Sequence, residues 1–190
     1  MMSGQPWNIL ILCTGNSARS IFAEALFNAL GGYRVRAFSA GSAPVGEVHP
    51  FALDLLEEQG LDTACLRSKS WDEFTVPGAP AFDLVVTVCA DAADAVNATC
   101  PAWPGNFLRA HWGLDDPAAV TGGDDRKRAA FMRAYAALVD RILLFLSLSF
   151  ENIDRAELQT HLDEIGRAGA AANVPDAAEL LMDDAEDGEA

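Results

Sequence analysis

The sequence lacks the features that would assign it to a membrane or nucleic-acid-binding class. No run of about 18 apolar residues occurs, so we predict no membrane span. Basic residues are scarce, with 13 Lys and Arg against 28 Asp and Glu. The net charge of −15 argues against nucleic acid as the main partner, because phosphate-backbone binding requires a basic face. The first residues carry neither a basic region nor a small-residue cleavage site, so we expect a cytoplasmic protein.

Cysteine is also scarce, and the four that occur are Cys13, Cys65, Cys89 and Cys100. In a reducing compartment, widely spaced cysteines are more typical of catalytic, redox or buried thiols than of structural disulfides. A zinc site built from Cys89, Cys100 and His111 would match no closed four-ligand spacing. We therefore expect no bound metal and no bound cofactor.

The length of 190 residues and the hydrophobic fraction of 51% predict one domain with a sizeable core. Seven acidic residues and no basic residue lie within residues 176–190. We expect residues 1–167 to form the domain and residues 168–190 to form a flexible acidic tail. The alternative is a docked apolar turn at residues 180–182.

Predicted strands and helices alternate along the domain, which indicates an α/β fold around a mainly parallel sheet. Apolar or alternating runs predict strands at residues 8–13, 34–39, 83–89 and 106–112. Helical periodicity predicts helices at residues 20–30, 49–59, 124–150 and 154–166. The small, polar segment between Cys89 and Cys100 is predicted to be mobile. Ligands bind at the carboxyl ends of parallel strands, where Cys13 and Cys89 both lie.

The strongest chemical signal is the segment CTGNSARS, which places Cys13 and Arg19 at the two ends of a loop between a strand and a helix. Such a loop turns backbone N–H groups inward to form an anion nest, and the helix start adds positive charge. The predicted oxyanion-binding residues are Thr14, Gly15, Asn16, Ser17, Ala18 and Arg19. The Arg19 guanidinium suits two oxygens of a tetrahedral anion. This field, with a hydrogen bond from Ser20, predicts a Cys13 pKa lowered to roughly 3.5–7.5. We expect a nucleophile facing a phosphate-like anion; the alternative is a buried cysteine that happens to precede an arginine.

The same segment resembles the active-site loop of the low-molecular-weight phosphotyrosine phosphatase superfamily, and other segments resemble its arsenate reductase branch. These other segments are residues 38–42 (FSAGS), 66–74 (LRSKSWDEF), 85–89 (VVTVC), 100–101 (CP), 111–117 (HWGLDDP) and 141–146. The resemblance covers about residues 7–167. It implies a three-layer sandwich with a four-stranded parallel sheet, and a monomeric enzyme that reduces arsenate and binds phosphate as a competing anion.

The resemblance also implies roles for individual residues. Cys13 would attack arsenate, and Asp116, held before a proline, would protonate the leaving oxygen. Cys89 would then attack Cys13, Cys100 would attack Cys89, and thioredoxin, or glutathione with glutaredoxin, would reduce the resulting disulfide. The alternatives are an ordinary turn aspartate at 116, a small core residue at 89 and a structural cysteine at 100.

Further residues resemble those that brace the loop in this family: Asn16, Glu24, Ser39 and Ser68. Some members bind potassium there with help from an aspartate, and Lys69 stands at the matching position. We predict that the Lys69 ammonium pairs with Glu24 and that no potassium is required. The alternative is a surface lysine.

Two departures argue against a phosphotyrosine substrate. Ala18 stands where phosphatases of the superfamily have a second cysteine, and residues 118–119 are alanines where they have aromatic side chains. A phosphatase using the same loop, and a non-enzymatic oxyanion-binding module, are the alternative functions. Cys65 is predicted to be a small apolar filler, and His111 either to hold the Asp-Pro loop or to pack structurally.

Overall fold

A four-stranded parallel sheet forms the centre of the computed structural model, which describes residues 5–99 and 103–168. The strands are β1 (Trp7–Cys13), β2 (Val35–Gly41), β3 (Leu84–Thr87) and β4 (Leu108–His111). They lie in the order β2-β1-β3-β4, and each neighbouring pair is parallel. The helices are α1 (Arg19–Leu30), α2 (Pro50–Glu58), α3 (Ala90–Thr99), α4 (Asp124–Ser147) and α5 (Arg155–Ala168). Short 3-10 turns occupy Gly32–Arg34, Trp71–Phe74 and Pro117–Ala119.

The register of the sheet brings the ends of the strands together. Cys13 at the end of β1 pairs with Gly41 at the end of β2. On the other side, Leu12 pairs with Thr87 of β3, which pairs with His111 of β4. The loops that follow all four strands therefore meet at one edge of the sheet, the edge at which ligands bind in parallel sheets.

Alternating side chains bury both faces of the sheet. Ile9 and Ile11 of β1 lie in the larger core cluster with the apolar sides of α1, α4 and α5. Leu10 and Leu12 face the other way, into a smaller cluster rich in aromatic residues that includes Phe82. Two buried faces explain why β1 is a continuous apolar run, as is typical of central parallel strands.

The four predicted strands and four predicted helices are all present, but the segment after Cys89 differs from the prediction. No helix was predicted there, whereas residues 90–99 form α3. Alanine has the highest helix propensity, and the five alanines among these ten residues favour a helix despite the polar residues between them. α5 continues to Ala168, and the rest of the predicted tail, residues 169–190, lies outside the described residues.

Helix α5 covers the outer edge of β4. Gln159 Nε2 donates a hydrogen bond to the carbonyl of Arg109 at 2.8 Å. Gly166 lies so close to β4 that a Cβ there would be 2.4 Å from the His111 carbonyl oxygen. The end of α5 is therefore fixed beside the carboxyl end of β4.

Within residues 5–99 and 103–168, no helix combines the length and the apolar character needed to cross a membrane.

Candidate active site

The loop between β1 and α1 is held by a second segment, residues 42–49, whose backbone N–H groups donate hydrogen bonds to the carbonyl groups of the loop. The backbone N–H groups of Ser42, Ala43, Val45 and His49 donate to the carbonyls of Cys13, Thr14, Gly15 and Ser17, respectively, at 2.9–3.2 Å. The C=O and N–H of one planar peptide group point in opposite directions. The N–H groups that follow these carbonyls must therefore point away from residues 42–49, and Asn16 N–H does so by donating to Cys13 Sγ at 3.0 Å. This is the geometry of an anion nest.

The amino end of α1 adds to this nest. Its N-cap residue is Ala18, whose side chain carries no hydrogen-bond acceptor. The first N–H groups of a helix have no intrahelical partners, so they are available to an anion here.

Cys13 lies at the base of the loop and is only 2% exposed. Its Sγ is 2.9 Å from Ser20 Oγ. Burial raises the pKa of the Cys13 thiol above its ordinary value, and the nearby Cys89 adds to this effect. The hydrogen bonds with Ser20 and Asn16 and the charge of Arg19 lower the pKa, but by less. The predicted low pKa is therefore wrong for the ligand-free loop, because the prediction counted the positive groups and not the loss of water around the sulfur.

Arg19 and Asp116 form an ion pair across the mouth of the loop. Arg19 Nη2 is 3.1 Å from Asp116 Oδ2, and Arg19 Nη1 donates to the Leu114 carbonyl at 2.9 Å. Asp116 Oδ1 also accepts the N–H of Ala118 at 3.1 Å, so the aspartate both caps a turn and faces the arginine. An incoming anion would compete with Asp116 for Arg19.

Asn16 is the centre of the network that braces the loop. Its φ of +47° lies in the left-handed region, which asparagine tolerates better than most residues. Its buried side chain accepts the Lys69 N–H at 2.8 Å and donates to Ser20 Oγ at 2.9 Å and to Ser39 Oγ at 2.8 Å. One amide therefore ties the loop to α1, to β2 and to the segment before residue 70.

A buried ion pair continues this network. Ser39 Oγ donates to Glu24 Oε2 at 2.5 Å, and Lys69 Nζ lies 3.2 Å from the same oxygen. Lys69 also donates to the Arg67 carbonyl at 3.2 Å. Its side chain is 6% exposed and that of Glu24 is 11% exposed, so the surface-lysine alternative is wrong.

Ser68 reaches the loop from the same side. Its hydroxyl donates to the Gly15 carbonyl at 3.2 Å and accepts the N–H of Gly46 at 3.2 Å. It therefore joins the loop to the segment that holds the loop carbonyls.

Cys89 follows β3 and is buried next to the loop. Its Sγ lies 3.4 Å from Thr14 Oγ1, the side chain adjacent to Cys13. Cys13, Cys65 and Cys89 all carry free thiols. Cys65 is exposed, so its prediction as an apolar filler is wrong. Cys100 lies outside the described residues.

His111 contacts both the neighbouring strand and the start of the segment that leads to the Asp-Pro turn, where a Cβ on Gly113 would be 2.7 Å from His111 Nε2. Its Nδ1 is 2.9 Å from Thr87 Oγ1 on the neighbouring strand. In the part of the chain that the structure describes, no group of three or more His, Cys, Asp or Glu side chains is placed to bind a metal ion.

Two features of the site were missed by the sequence analysis. Gly41 packs against the loop so tightly that a Cβ would lie 2.4 Å from the Thr14 carbonyl oxygen. Its position in FSAGS, two residues after a predicted strand, was the available signal. The Leu114 carbonyl is a main-chain partner of Arg19, and no side-chain pattern could have revealed it.

The family model described as low molecular weight phosphotyrosine protein phosphatase matches residues 8–157. The chain belongs to this family. It is 41% identical over 137 residues to an arsenate reductase of Halalkalibacterium halodurans, covering 72% of this chain and 93% of that protein. Among solved structures, the crystal structure of arsenate reductase from Archaeoglobus fulgidus matches with a TM-score of 0.56 and 30% identity, over 74% of this chain and 99% of the other. A thioredoxin-dependent arsenate reductase of Corynebacterium glutamicum matches with a TM-score of 0.50 and 26% identity, over 72% and 60% of the two chains.

Membership of the low molecular weight phosphatase family confirms the resemblance seen in the sequence and the predicted three-layer fold. The matched region begins in β1 and ends in α5, so it contains every element that contributes to the loop and its bracing network.

Proposed function

We propose that this protein is an arsenate reductase in which Cys13 is the nucleophile and Cys89 is the second thiol. The observation that carries the proposal is the position of Cys89 Sγ, 3.4 Å from the side chain of Thr14 at the mouth of the anion loop. A phosphatase that uses only Cys13, Arg19 and Asp116 has no need of a thiol there. The curated relatives named arsenate reductase support the same choice of substrate.

Arsenate would bind in the nest formed by residues 14–19. The inward N–H groups and the Arg19 guanidinium suit a tetrahedral oxyanion, and phosphate has the same shape and charge, so it would compete. The anion would replace Asp116 as the ion-pair partner of Arg19. The Asp116 carboxyl group would then be free beside the oxygens of the bound anion.

In the first chemical step, the Cys13 sulfur forms a bond to arsenic. The thiol and H₂AsO₄⁻ give an S–As(V) adduct, and one As–O bond breaks as its oxygen leaves as water. Asp116 delivers a proton to the leaving oxygen as a general acid, and the proton of the Cys13 thiol replaces the one that Asp116 lost.

In the second step, the Cys89 sulfur attacks the Cys13 sulfur. An S–S bond forms, the S–As bond breaks, and its electron pair passes to arsenic, which becomes As(III) and leaves as arsenite after taking up protons. Cys100 then attacks Cys89, which frees Cys13 and leaves a Cys89–Cys100 disulfide. An external dithiol or thiol reduces that disulfide; thioredoxin is favoured by the relative from Corynebacterium glutamicum, and glutathione with glutaredoxin is the alternative.

The Lys69–Glu24 pair would take the place of a bound cation in bracing the loop, so no potassium and no other cofactor is needed. We also propose that the reaction serves arsenic detoxification in the cytoplasm. A monomer with its catalytic domain at residues 1–167 would suffice, and deletion of residues 168–190 should leave turnover intact.

The test is arsenate-dependent NADPH oxidation with thioredoxin and thioredoxin reductase, run beside glutathione with glutaredoxin. Wild type should turn over, whereas Cys89→Ser should stop after one reaction at Cys13, because no second thiol releases arsenite. Cys100→Ser should also stop cycling. Cys65→Ser is the matched control, since Cys65 is a free thiol exposed to solvent, and it should keep full turnover.

Two outcomes would contradict the proposal. Hydrolysis of phosphate esters that is undiminished in Cys89→Ser and Cys100→Ser, without arsenate turnover in wild type, would identify a phosphatase. Tight arsenate or phosphate binding without any loss of thiols would identify a non-enzymatic oxyanion-binding module. Turnover only with glutathione would keep arsenate as substrate and remove Cys100 from the relay.

A further inference from the structure

Arg141 is a buried charged side chain that the chemistry above does not use. It lies on the core-facing side of α4 and is 1% exposed. Among the residues that the structure describes, its guanidinium contacts main-chain carbonyls and no carboxylate. The acceptors are Trp112 at 2.8 Å, Gly113 at 3.3 Å and Gly166 at 3.4 Å. Its Nε has no partner in the described part of the chain.

The contribution of Arg141 to stability does not explain this arrangement. Removing a guanidinium from water is costly, and carbonyl groups offset the cost less well than a carboxylate does. Even a complete buried ion pair can often be replaced by apolar side chains of similar volume without loss of stability, so a buried charge is weak evidence for a stabilising role. The role of Arg141 is therefore better inferred from where its three carbonyl partners lie than from its contribution to stability.

Two of these carbonyls are the last main-chain groups before the active-site loop that carries Asp116. The next residue, Leu114, donates its N–H to the Val88 carbonyl at 3.1 Å and accepts Arg19 Nη1 on its own carbonyl at 2.9 Å. Val88 directly precedes Cys89. A shift of Leu114 would thus move three functional groups together: the Arg19 guanidinium, the Asp116 carboxyl group and the start of the segment that bears Cys89.

The third acceptor fixes the position of Arg141 itself. Gly166 belongs to α5, which lies so close to the end of β4 that a Cβ on Gly166 would be 2.4 Å from the His111 carbonyl oxygen. A guanidinium presents several N–H donors in one rigid plane, so it can hold two chain segments in a fixed relation. A lysine ammonium is a point donor on a flexible stem and does not fix such a geometry.

We propose that Arg141 is a positioning residue that fixes residues 112–116 and, through Leu114, aligns Asp116 and Arg19 with the anion loop. This inference rests on the proposed function for the role of Asp116. Arg141 touches neither the substrate nor Cys13, so its effect on catalysis passes through the loop.

The first measurement is hydrogen exchange by mass spectrometry on the full chain, comparing wild type with Arg141→Lys. Arg34→Lys is the matched control, because Arg34 also donates to two main-chain carbonyls, those of Leu146 and Leu148, away from the site. Exchange in the peptide covering residues 112–119 should increase in Arg141→Lys and stay unchanged in Arg34→Lys. This readout needs no enzymatic activity, so it decides the positioning role even if arsenate proves not to be the substrate.

The second measurement is a double-mutant cycle on kcat for arsenate reduction. Arg141→Lys should lower kcat on the order of tenfold to a hundredfold, as small misplacements of catalytic groups do. In an Asp116→Asn background the same change should have a much smaller effect, because the group that Arg141 aligns is already lost. A purely structural role would give the same factor in both backgrounds.

Three results would overturn the inference: unchanged exchange in residues 112–119, a uniform increase across the whole protein, or full additivity in the cycle. If Arg141→Lys does not fold, Arg141→Gln provides the same comparison, because its neutral amide keeps N–H donors for the main-chain carbonyls but lacks the wide guanidinium fork. Absence of arsenate turnover in wild type would refute the proposed function and leave the exchange result to decide the role of Arg141.

Discussion

Replacing Lys69 with methionine removes the ammonium group from the buried pair with Glu24 while keeping an apolar stem in its place. The Glu24 carboxylate would then be buried with Ser39 as its hydrogen-bond donor and without a cation. Breaking a buried pair by removing one partner costs about 3–5 kcal/mol. Since domains of this size have a total stability of about 5–15 kcal/mol, the variant should be folded but visibly weakened.

The measurement is urea unfolding of wild type, Lys69→Met and the control Arg67→Met. For an m-value of about 2 kcal/mol/M, a loss of about 4 kcal/mol lowers the midpoint by about 2 M urea. Arg67 pairs with Glu73 on the surface, where the two side chains are 58% and 44% exposed. Such exposed pairs contribute at most about 1 kcal/mol, so the control midpoint should move by no more than about 0.5 M.

Potassium provides the second half of this prediction. If the Lys69 ammonium takes the place of a cation, potassium should stabilise Lys69→Met and leave wild type unchanged. An ion bound with a Kd of about 10 mM would restore about 1.4 kcal/mol at 0.1 M. Tetramethylammonium chloride at the same concentration controls for ionic strength. A loss in Lys69→Met no larger than in Arg67→Met, or equal stabilisation of wild type by potassium, would refute the reasoning.

Three further predictions concern the anion loop. The alkylation rate of Cys13 in anion-free protein should keep rising with pH after that of a cysteine in an unstructured peptide has levelled off, because burial raises the Cys13 pKa; an earlier plateau would contradict this. Gly41→Ala should abolish phosphate binding measured by calorimetry, since its Cβ would lie 2.4 Å from a loop carbonyl oxygen, whereas Gly123→Ala, with no atom within 4 Å of the added Cβ, should bind normally. Asp116→Asn should lower turnover yet bind phosphate more tightly, because Arg19 no longer has a competing carboxylate. The expected gain in phosphate-binding free energy is about 0.2–1 kcal/mol, which is typical of exposed ion pairs. Weaker binding would argue against replacement of Asp116 by the anion at Arg19.

The sequence analysis was most successful where the site is built from residues that are close together in the sequence. Cys13 and Arg19 lie in one short loop whose ends are set by a strand and a helix, so their proximity follows from the segment alone. The parallel sheet placed Cys89 at the same edge, since consecutive parallel strands end together. The analysis failed at α3, where alanine content was a better guide than polarity.

The bracing network shows where sequence reasoning required a family resemblance. Asn16, Glu24, Ser39 and Lys69 are spread over more than fifty positions, and no periodicity connects them. Only the resemblance brought them together in the analysis. Their hydrogen bonds, at 2.5–3.2 Å, depend on how β2 and the segment before residue 70 pack against the loop.

The sequence by itself determined the α/β fold and the anion loop with Cys13 and Arg19 at its two ends, because each of these follows from residue order over short distances. Only the tertiary structure decided the pKa of Cys13, since that depends on how completely packing removes water from the sulfur. It also decided that Arg141 and Arg19 donate to the main-chain carbonyls of Trp112 and Leu114, respectively. Every residue has the same carbonyl and N–H, so the amino-acid sequence does not distinguish which of them a distant side chain will reach.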